Sequence, residues 1–227
     1  MNDVNQTFCN YKKYRFYCTL GKQTSNYPNV CSGDSGGPLM YLINGKWFLY
    51  GITSHVLFNK TCLNNLPSFF TIVPSFLKWI NQSSTGENSP SLECGLKSIF
   101  RIVNGKLSVE NSWPWIVQIH FLMGETSRFL CTGTIISERY VISHRSCLNN
   151  LVGGVLQLTI VVGQNKVGFP NEFNRIYTVQ NFYINGGFLV LKVLRRFEFN
   201  SQVNSICLPN SNDFRIIFDK QVATAGW

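Results

Sequence analysis

One serine in this chain stands in a setting that suits chemistry. The run Cys31-Ser32-Gly33-Asp34-Ser35-Gly36-Gly37-Pro38-Leu39 places Ser35 among three glycines and directly after an aspartate. Glycines on both sides allow backbone conformations closed to other residues, so a substrate carbonyl can come close to the Gly33 and Ser35 amides, which would then form an oxyanion hole. A serine hydroxyl is a poor nucleophile alone. Such a site therefore also needs a histidine to take the proton and a carboxylate to orient that histidine.

The elements around Ser35 decide what kind of site it is. The same letters satisfy G-x-S-x-G, which in α/β-hydrolases is a sharp turn between a strand and a helix. Pro38 and the run Leu39-Met40-Tyr41-Leu42-Ile43 argue against a helix there. Asn44-Gly45 reads as a tight hairpin turn into Trp47-Phe48-Leu49-Tyr50-Gly51-Ile52, so the serine sits on a loop that enters a β-hairpin. A bland Gly/Ser-rich surface turn would explain the glycines but neither Cys31 nor the hairpin.

From about Phe16 to Ile80 the chain resembles the closing half of a trypsin-like serine protease: GDSGGPL is followed by NGKWFLYGITS and, after a cysteine, by PSFFTIVPSFLKWI. The resemblance implies an all-β, chymotrypsin-like double barrel with a short terminal helix near 74–80, and serine endopeptidase chemistry on protein or peptide substrates. It implies Ser35 as nucleophile, Gly33 and Ser35 as oxyanion donors, and Asp34 as partner of the amino terminus made on activation. Protease inhibitors are a further class of partner, and no cofactor is implied. The family's pocket floor, six residues before the nucleophile, is here Asn29. Ser54 and His55 fall where the substrate cleft is lined, and Val56 and Ser68 fall where broad-pocket relatives have glycines. An unpaired Arg or Lys buried against a neutral amide is costly, so the expected residue before the scissile bond is small or medium and uncharged.

A second start follows a linker. Asn81 to Glu93, NQSSTGENSPSLE, has almost no apolar content and reads as a flexible connector. Arg101-Ile102-Val103-Asn104-Gly105 then resembles the family's activation site, cut after the arginine. Trp113-Pro114-Trp115-Ile116-Val117-Gln118-Ile119 and Cys131-Thr132-Gly133-Thr134-Ile135-Ile136 resemble its first strands. Leu156, Leu158, Ile160 and Val162 alternate as a half-buried strand should.

This second segment departs from the family at the positions that matter for catalysis. The family's histidine precedes a cysteine in a segment that here reads Tyr140-Val141-Ile142-Ser143-His144-Arg145-Ser146-Cys147, so Ser146 takes its place. His144 lies two residues earlier and starts from a different backbone point, from which it is not expected to serve Ser35. The aspartate's place, ahead of Phe188-Leu189-Val190-Leu191-Lys192-Val193, is Gly187, which has no carboxylate. His120 sits in an apolar strand as a core or edge residue, while Asp213 and Asp219 read as solvated positions. Phosphate loops, metal clusters and nucleic-acid motifs are not among the patterns found.

Composition adds the setting. The 227 residues are 44% hydrophobic and 14% aromatic, enough for a sizeable core, and the net charge of +9 is scattered, coming near a patch only at Lys12, Lys13 and Arg15 or at Arg195 and Arg196. Eight cysteines without a C-x-x-C pair point to disulfides and an oxidising, extracellular setting. Of about 105 formal pairings, the resemblance selects Cys9–Cys18, Cys31–Cys62, Cys94–Cys207 and Cys131–Cys147; the third would hold the products together after cutting at Arg101. Asn5, Asn59 and Asn81 each open a glycosylation sequon, in keeping with secretion. The amino terminus lacks the pattern of a signal peptide, and no run is long and apolar enough to span a bilayer, so both ends are read as truncations of a longer chain.

Three arrangements follow. The tandem one is the arrangement expected: residues 1–80 end one protease unit, 81–101 are linker and activation peptide, and 102–227 begin a second, degenerate unit. In the swapped-order one, both segments pack into one unit, which is expected to leave an open edge on one barrel. In the third, a protease scaffold without its triad presents loops to a binding partner.

Overall fold

The computed structural model describes residues 2–4, 16–20, 30–31, 33–56, 67–84, 94–97, 112–124, 126–149, 157–168, 170 and 172–227, with 2–4, 20, 55, 56 and 173 as backbone alone. In chain order the strands are β1 (Asn2–Val4), β2 (Phe16–Leu20), β3 (Pro38–Ile43), β4 (Lys46–Val56) and β5 (Ser68–Ile72), then helix α1 (Leu77–Ser83). The second segment supplies β6 (Ile116–Met123), β7 (Thr126–Ser137), β8 (Tyr140–His144), β9 (Gln157–Val161), β10 (Ile176–Asn185), β11 (Phe188–Val193) and β12 (Gln221–Thr224).

These strands form two closed barrels. One runs β1-β12-β3-β4-β5-β2 and the other β10-β11-β8-β7-β6-β9. Both segments contribute to the first, because β12 pairs with β1 (Asn2 opposite Val222) and with β3 (Ala223 opposite Met40). The open edge expected of a swapped-order packing is therefore corrected: β12, β1 and β2 close the ring, so these strands do not leave unpaired amides and carbonyls along one side.

Local sequence accounts for the hairpins. Asn44 and Gly45 take φ of 49° and 80°, the two left-handed residues that a tight turn between twisted strands requires. Pro74 opens a 3-10 turn over Pro74–Phe76 that leads into α1, and the Ser84 amide and hydroxyl close the helix by donating to the Ile80 carbonyl at 3.1 and 2.7 Å. The helix buries Leu77 and Ile80 against the core, and it runs three residues beyond the expected Ile80 because exposed Asn81 and Gln82 do not interrupt it.

The cores differ in extent. Tyr17, Val30, Leu39, Tyr50, Phe70, Ile72, Ile217 and Val222 fill the first barrel. A larger cluster fills the second barrel and continues across the seam to Met40, Leu49 and Ile52. Trp115, fully buried, donates its indole N–H to Met40 Sδ at 3.1 Å across that seam. The half-buried pattern expected for β9 is also corrected: Leu158, Thr159, Ile160 and Val161 are all buried, so both faces of the strand are covered. The Arg195 and Arg196 pair makes no patch. Arg195 lies over the Tyr177 ring and donates to the Asn174 and Ile176 carbonyls, whereas Arg196 pairs with Glu138 at 2.7 Å.

Two expected disulfides are present, Cys94–Cys207 and Cys131–Cys147. Cys18 and Cys31 are also disulfide-bonded, and their expected partners, Cys9 and Cys62, lie outside the described residues. Among the described residues no helix is long and apolar enough to cross a membrane, which leaves spanning by strands unaddressed.

Candidate active site

The loop carrying Ser35 is held by backbone bonds from three sides. The Asp34 and Gly37 amides donate to the Cys31 and Asp34 carbonyls at 3.1 and 2.8 Å, folding the loop into consecutive turns. Gly36 N donates to Thr53 O on β4 at 2.9 Å, and Thr53 N returns a bond to Gly37 O at 2.8 Å. From the second barrel, Thr132 on β7 donates through its amide to the Gly33 and Ser35 carbonyls at 3.2 and 3.1 Å, and through its hydroxyl to Gly33 O at 2.9 Å. Among the described residues neither the Gly33 nor the Ser35 amide donates to a protein acceptor.

Gly36 shows why this loop needs its glycines. Its φ is +88°, and a Cβ there would lie 2.0 Å from Ser143 Oγ and 2.2 Å from the Thr132 carbonyl. No side chain fits that gap. Asp34 is partly buried beneath the loop, its carboxylate accepting from the Cys31 amide at 2.7 Å and lying so close to Gly226 that a Cβ there would come within 2.0 Å of it. Burial pushes the Asp34 carboxyl above its ordinary range, and the amide bonds from Cys31 and Trp227 partly counter that. Ile102 and Arg101 lie outside the described residues, so the expected activation pair does too.

The opposite wall is built differently. β8 ends at His144, where a 3-10 turn over Arg145–Leu148 begins, and Cys147 is pinned by its bond to Cys131. The His144 imidazole accepts at Nδ1 from the Ser146 amide at 3.3 Å, so Nδ1 carries the lone pair and, in the neutral ring, Nε2 carries the proton. The Ser146 hydroxyl lies 2.7 Å from Nδ1 and therefore donates to it, while Nε2 meets Ser54 Oγ on β4 at 3.1 Å. This last bond crosses from one barrel to the other.

Gly187 opens room for that imidazole. A Cβ at Gly187 would stand 3.1 Å from His144 Nε2 and 3.0 Å from Thr71 Oγ1, a buried hydroxyl with no hydrogen-bond partner among the described residues. Backbone pairing fixes the juxtaposition: Phe188 is opposite His144, and Arg145 N donates to Gly187 O at 2.9 Å. The histidine thus lies beside Gly187, with a serine hydroxyl at each ring nitrogen. Among the described residues no hydrogen bond joins the Ser35 hydroxyl to a histidine.

The remaining expected site residues divide by location. Ser54 faces the second barrel, where it meets His144. Ser68 is buried at the start of β5, its backbone opposite Val56 and Thr19. His55 and Val56 lie on β4 beside a register shift, with their side chains outside the described part, and Asn29 is outside it altogether. His120 is a buried core residue between Ser127 and Gln118, and burial lowers its pKa to about 4. Asp213 is a cap, accepting from the Arg215 amide and guanidinium at 3.0 Å each, and Asp219 takes a φ of 57° in the turn before β12.

Sequence reasoning missed two groups. Thr132 was an ordinary strand residue until β7 came to rest on the serine loop, and no local signal marks it. The Ser54–His144–Ser146 chain depends on a contact between residues 90 apart in sequence, although a histidine two residues before a serine, next to a missing carboxylate, was a usable hint.

Comparison with known proteins agrees with this architecture. A family model described as Trypsin matches residues 2–80 and 102–227. Chymotrypsin-C of Bos taurus is 22% identical over 167 residues, covering 69% of this chain and 58% of that protein. Chymotrypsin-like elastase family member 1 of Macaca fascicularis is 43% identical over 53 residues, 23% of this chain and 20% of that protein. A venom serine protease of Polistes dominula is 26% identical over 149 residues, 60% of this chain and 51% of that protein. The crystal structure of the drosophila Grass clip serine protease of the Toll pathway aligns with a TM-score of 0.44 at 19% identity, covering 67% of this chain and 48% of that one. The chain spans no more than 58% of the length of these curated relatives. With a two-barrel fold, a serine loop at the seam and a family match over nearly all of its two segments, the chain belongs to the trypsin family of serine proteases.

Proposed function

We propose that this chain keeps the polypeptide-binding cleft of a trypsin-family protease but turns over peptides poorly, because among the described residues no imidazole is bonded to Ser35 to take its proton. One observation carries the reading: the His144 ring is engaged by Ser54 at Nε2 and by Ser146 at Nδ1. Ser146 and Gly187 are then degenerate triad positions, and Gly33 with Ser35 is an oxyanion hole that binds a carbonyl without a nucleophile to attack it. In enzymes of this mechanism, loss of the serine or histidine alone costs about 10⁶ in kcat and leaves about 10³ to 10⁴ over water.

The same reading extends to the rest of the cleft. Asn29, Val56 and Ser68 favour a small or medium uncharged side chain before the scissile position of a bound peptide, with Ser54 and His55 along its path. Four disulfides and three sequons suit secretion, and cutting at Arg101–Ile102 would leave the products joined through Cys94–Cys207. Pairing of β12 with both β1 and β3 supports residues 1–80 and 102–227 acting as one unit in this chain. The alternative is a longer tandem parent in which residues 1–80 close one unit and 102–227 open a degenerate second one.

Two experiments test this. Peptide-library hydrolysis by the native chain and by Ser35→Ala should agree within the assay; a turnover that Ser35→Ala abolishes overturns the reading. Nicking the chain within residues 85–93 should leave one particle on size exclusion, whereas separation into two folded pieces would favour the tandem arrangement.

A further inference from the structure

The geometry points to Ser146 as the nucleophile of this cleft, with His144 as its base and Ser54 as the group that holds the base. The inference rests on the reading that Ser35 lacks an imidazole, and it adds a different reacting atom.

A nucleophilic serine needs a hydrogen bond from its hydroxyl to a base, and the base needs a third group to fix its ring. Both are present. The Ser146 hydroxyl is 2.7 Å from His144 Nδ1, and the Ser146 amide, by donating to the same nitrogen, keeps Nδ1 in its proton-accepting form. On the far side Nε2–H is held by Ser54 at 3.1 Å, from the opposing barrel. Ser54 is the partner that would steady Nε2–H in the imidazolium formed when Nδ1 takes a proton.

Position favours reactivity as well. Ser146 and His144 are both partly exposed, whereas neighbouring Ser143 and Cys147 are buried. Cys147, adjacent to Ser146, lies with its sulfur 4.0 Å from the Ser35 carbonyl, so the two serines belong to the same stretch of the inter-barrel seam. The disulfide Cys131–Cys147 fixes the turn that carries Ser146.

The substrate class that suits this pair is a small ester. Ser146 Oγ would add to the ester carbonyl as its proton passes to Nδ1. Collapse would break the bond to the alkoxide, which takes that proton back and leaves as the alcohol. Water would then repeat the cycle on acyl-Ser146, giving up one proton to Nδ1, releasing the carboxylic acid and restoring the serine hydroxyl. An alkoxide leaves more readily than an amine, so the reaction asks less of the base than peptide hydrolysis does.

The test is covalent labelling with a fluorophosphonate probe, in which a serine oxygen displaces fluoride from phosphorus, followed by peptide mapping. Native chain and Ser35→Ala should both carry the label on Ser146. His144→Ala should label about 100-fold more slowly, and added imidazole should restore much of the rate, which a purely structural histidine would not allow. Intact Cys131–Cys147 linkage and an unchanged near-ultraviolet spectrum identify variants that have folded, with His144→Asn as the second choice if alanine fails. No label on Ser146 of the folded native chain overturns this inference and leaves the reading of Ser35 intact; rapid label on Ser35 overturns that reading and this inference together.

Discussion

The two walls of the cleft were built to different standards of continuity with the family. On the serine side, every described backbone contact of residues 33–37 serves the loop: β4 grips Gly36 and Gly37, β7 grips Gly33 and Ser35, and Asp34 sits beneath them. On the histidine side the backbone is equally regular, with β8 and β11 in unbroken register, but the side chains have been exchanged. The His144 imidazole lies beside Gly187, between the Ser54 and Ser146 hydroxyls. On the proposed reading, backbone pairing holds the frame of the site while three side chains decide where a proton can go, so the two can change separately.

The largest effect expected from breaking the serine side is at Gly36. A Cβ would sit 2.0 Å from Ser143 Oγ with the backbone at φ +88°, so Gly36→Ala should cost about 3 kcal/mol or more in chemical denaturation and should loosen the contact between barrels. Gly45 is the control. Its φ of +80° is similar but nothing lies within 4 Å, so Gly45→Ala should cost only the backbone term of roughly 1–2 kcal/mol. Equal costs at the two glycines would mean that the serine loop is not wedged against β7 and β8.

An effect of pH sharpens the comparison on the other barrel. His120 is buried, and its pKa falls from an ordinary 6.5 to about 4. The unfolded chain therefore binds a proton that the folded one refuses, so the stability tied to this histidine is whole above pH 6.5 and is lost as pH falls towards 4. Asp34, held above its ordinary range, acts in the opposite direction, giving up stability as pH rises through its folded value. Denaturation of the native chain and of His120→Gln across this range should diverge, with the native chain losing more on acidification; parallel curves would show that His120 is not shielded from water.

The smallest effect concerns the brace between the walls. Thr132→Val removes the 2.9 Å hydroxyl bond to Gly33 O while keeping the amide bonds and the shape, so it should cost about 0.5–1.5 kcal/mol. No change in the denaturation midpoint would place the hold on Gly33 entirely in the backbone.

Much of the fold was legible in the sequence because its signals are local. Asn44-Gly45 specified a hairpin turn and the GDSGGP run a loop that needs its glycines, while the helix near 74–80 followed from the family resemblance. The two described disulfides followed from the family resemblance rather than from spacing. Closure of the first barrel was not legible, because the pairing of β12 with β1 joins residues at opposite ends of the chain through only a few residues. That a serine stands at 146 and a glycine at 187 is plain in the sequence. What the imidazole of His144 does is not, since it depends on the space beside Gly187 and on Ser54 arriving from the other barrel.

Nitrogen NMR of the His144 imidazole in the folded chain shows whether the ring serves Ser54 and Ser146 and not Ser35. The expected result is a ring whose Nδ1 is unprotonated and accepts hydrogen bonds while Nε2 carries the proton, with signals that shift in Ser54→Ala and Ser146→Ala but stay in place in Ser35→Ala. A ring protonated at Nδ1 when neutral, or signals that move as far in Ser35→Ala as in Ser54→Ala, would contradict it.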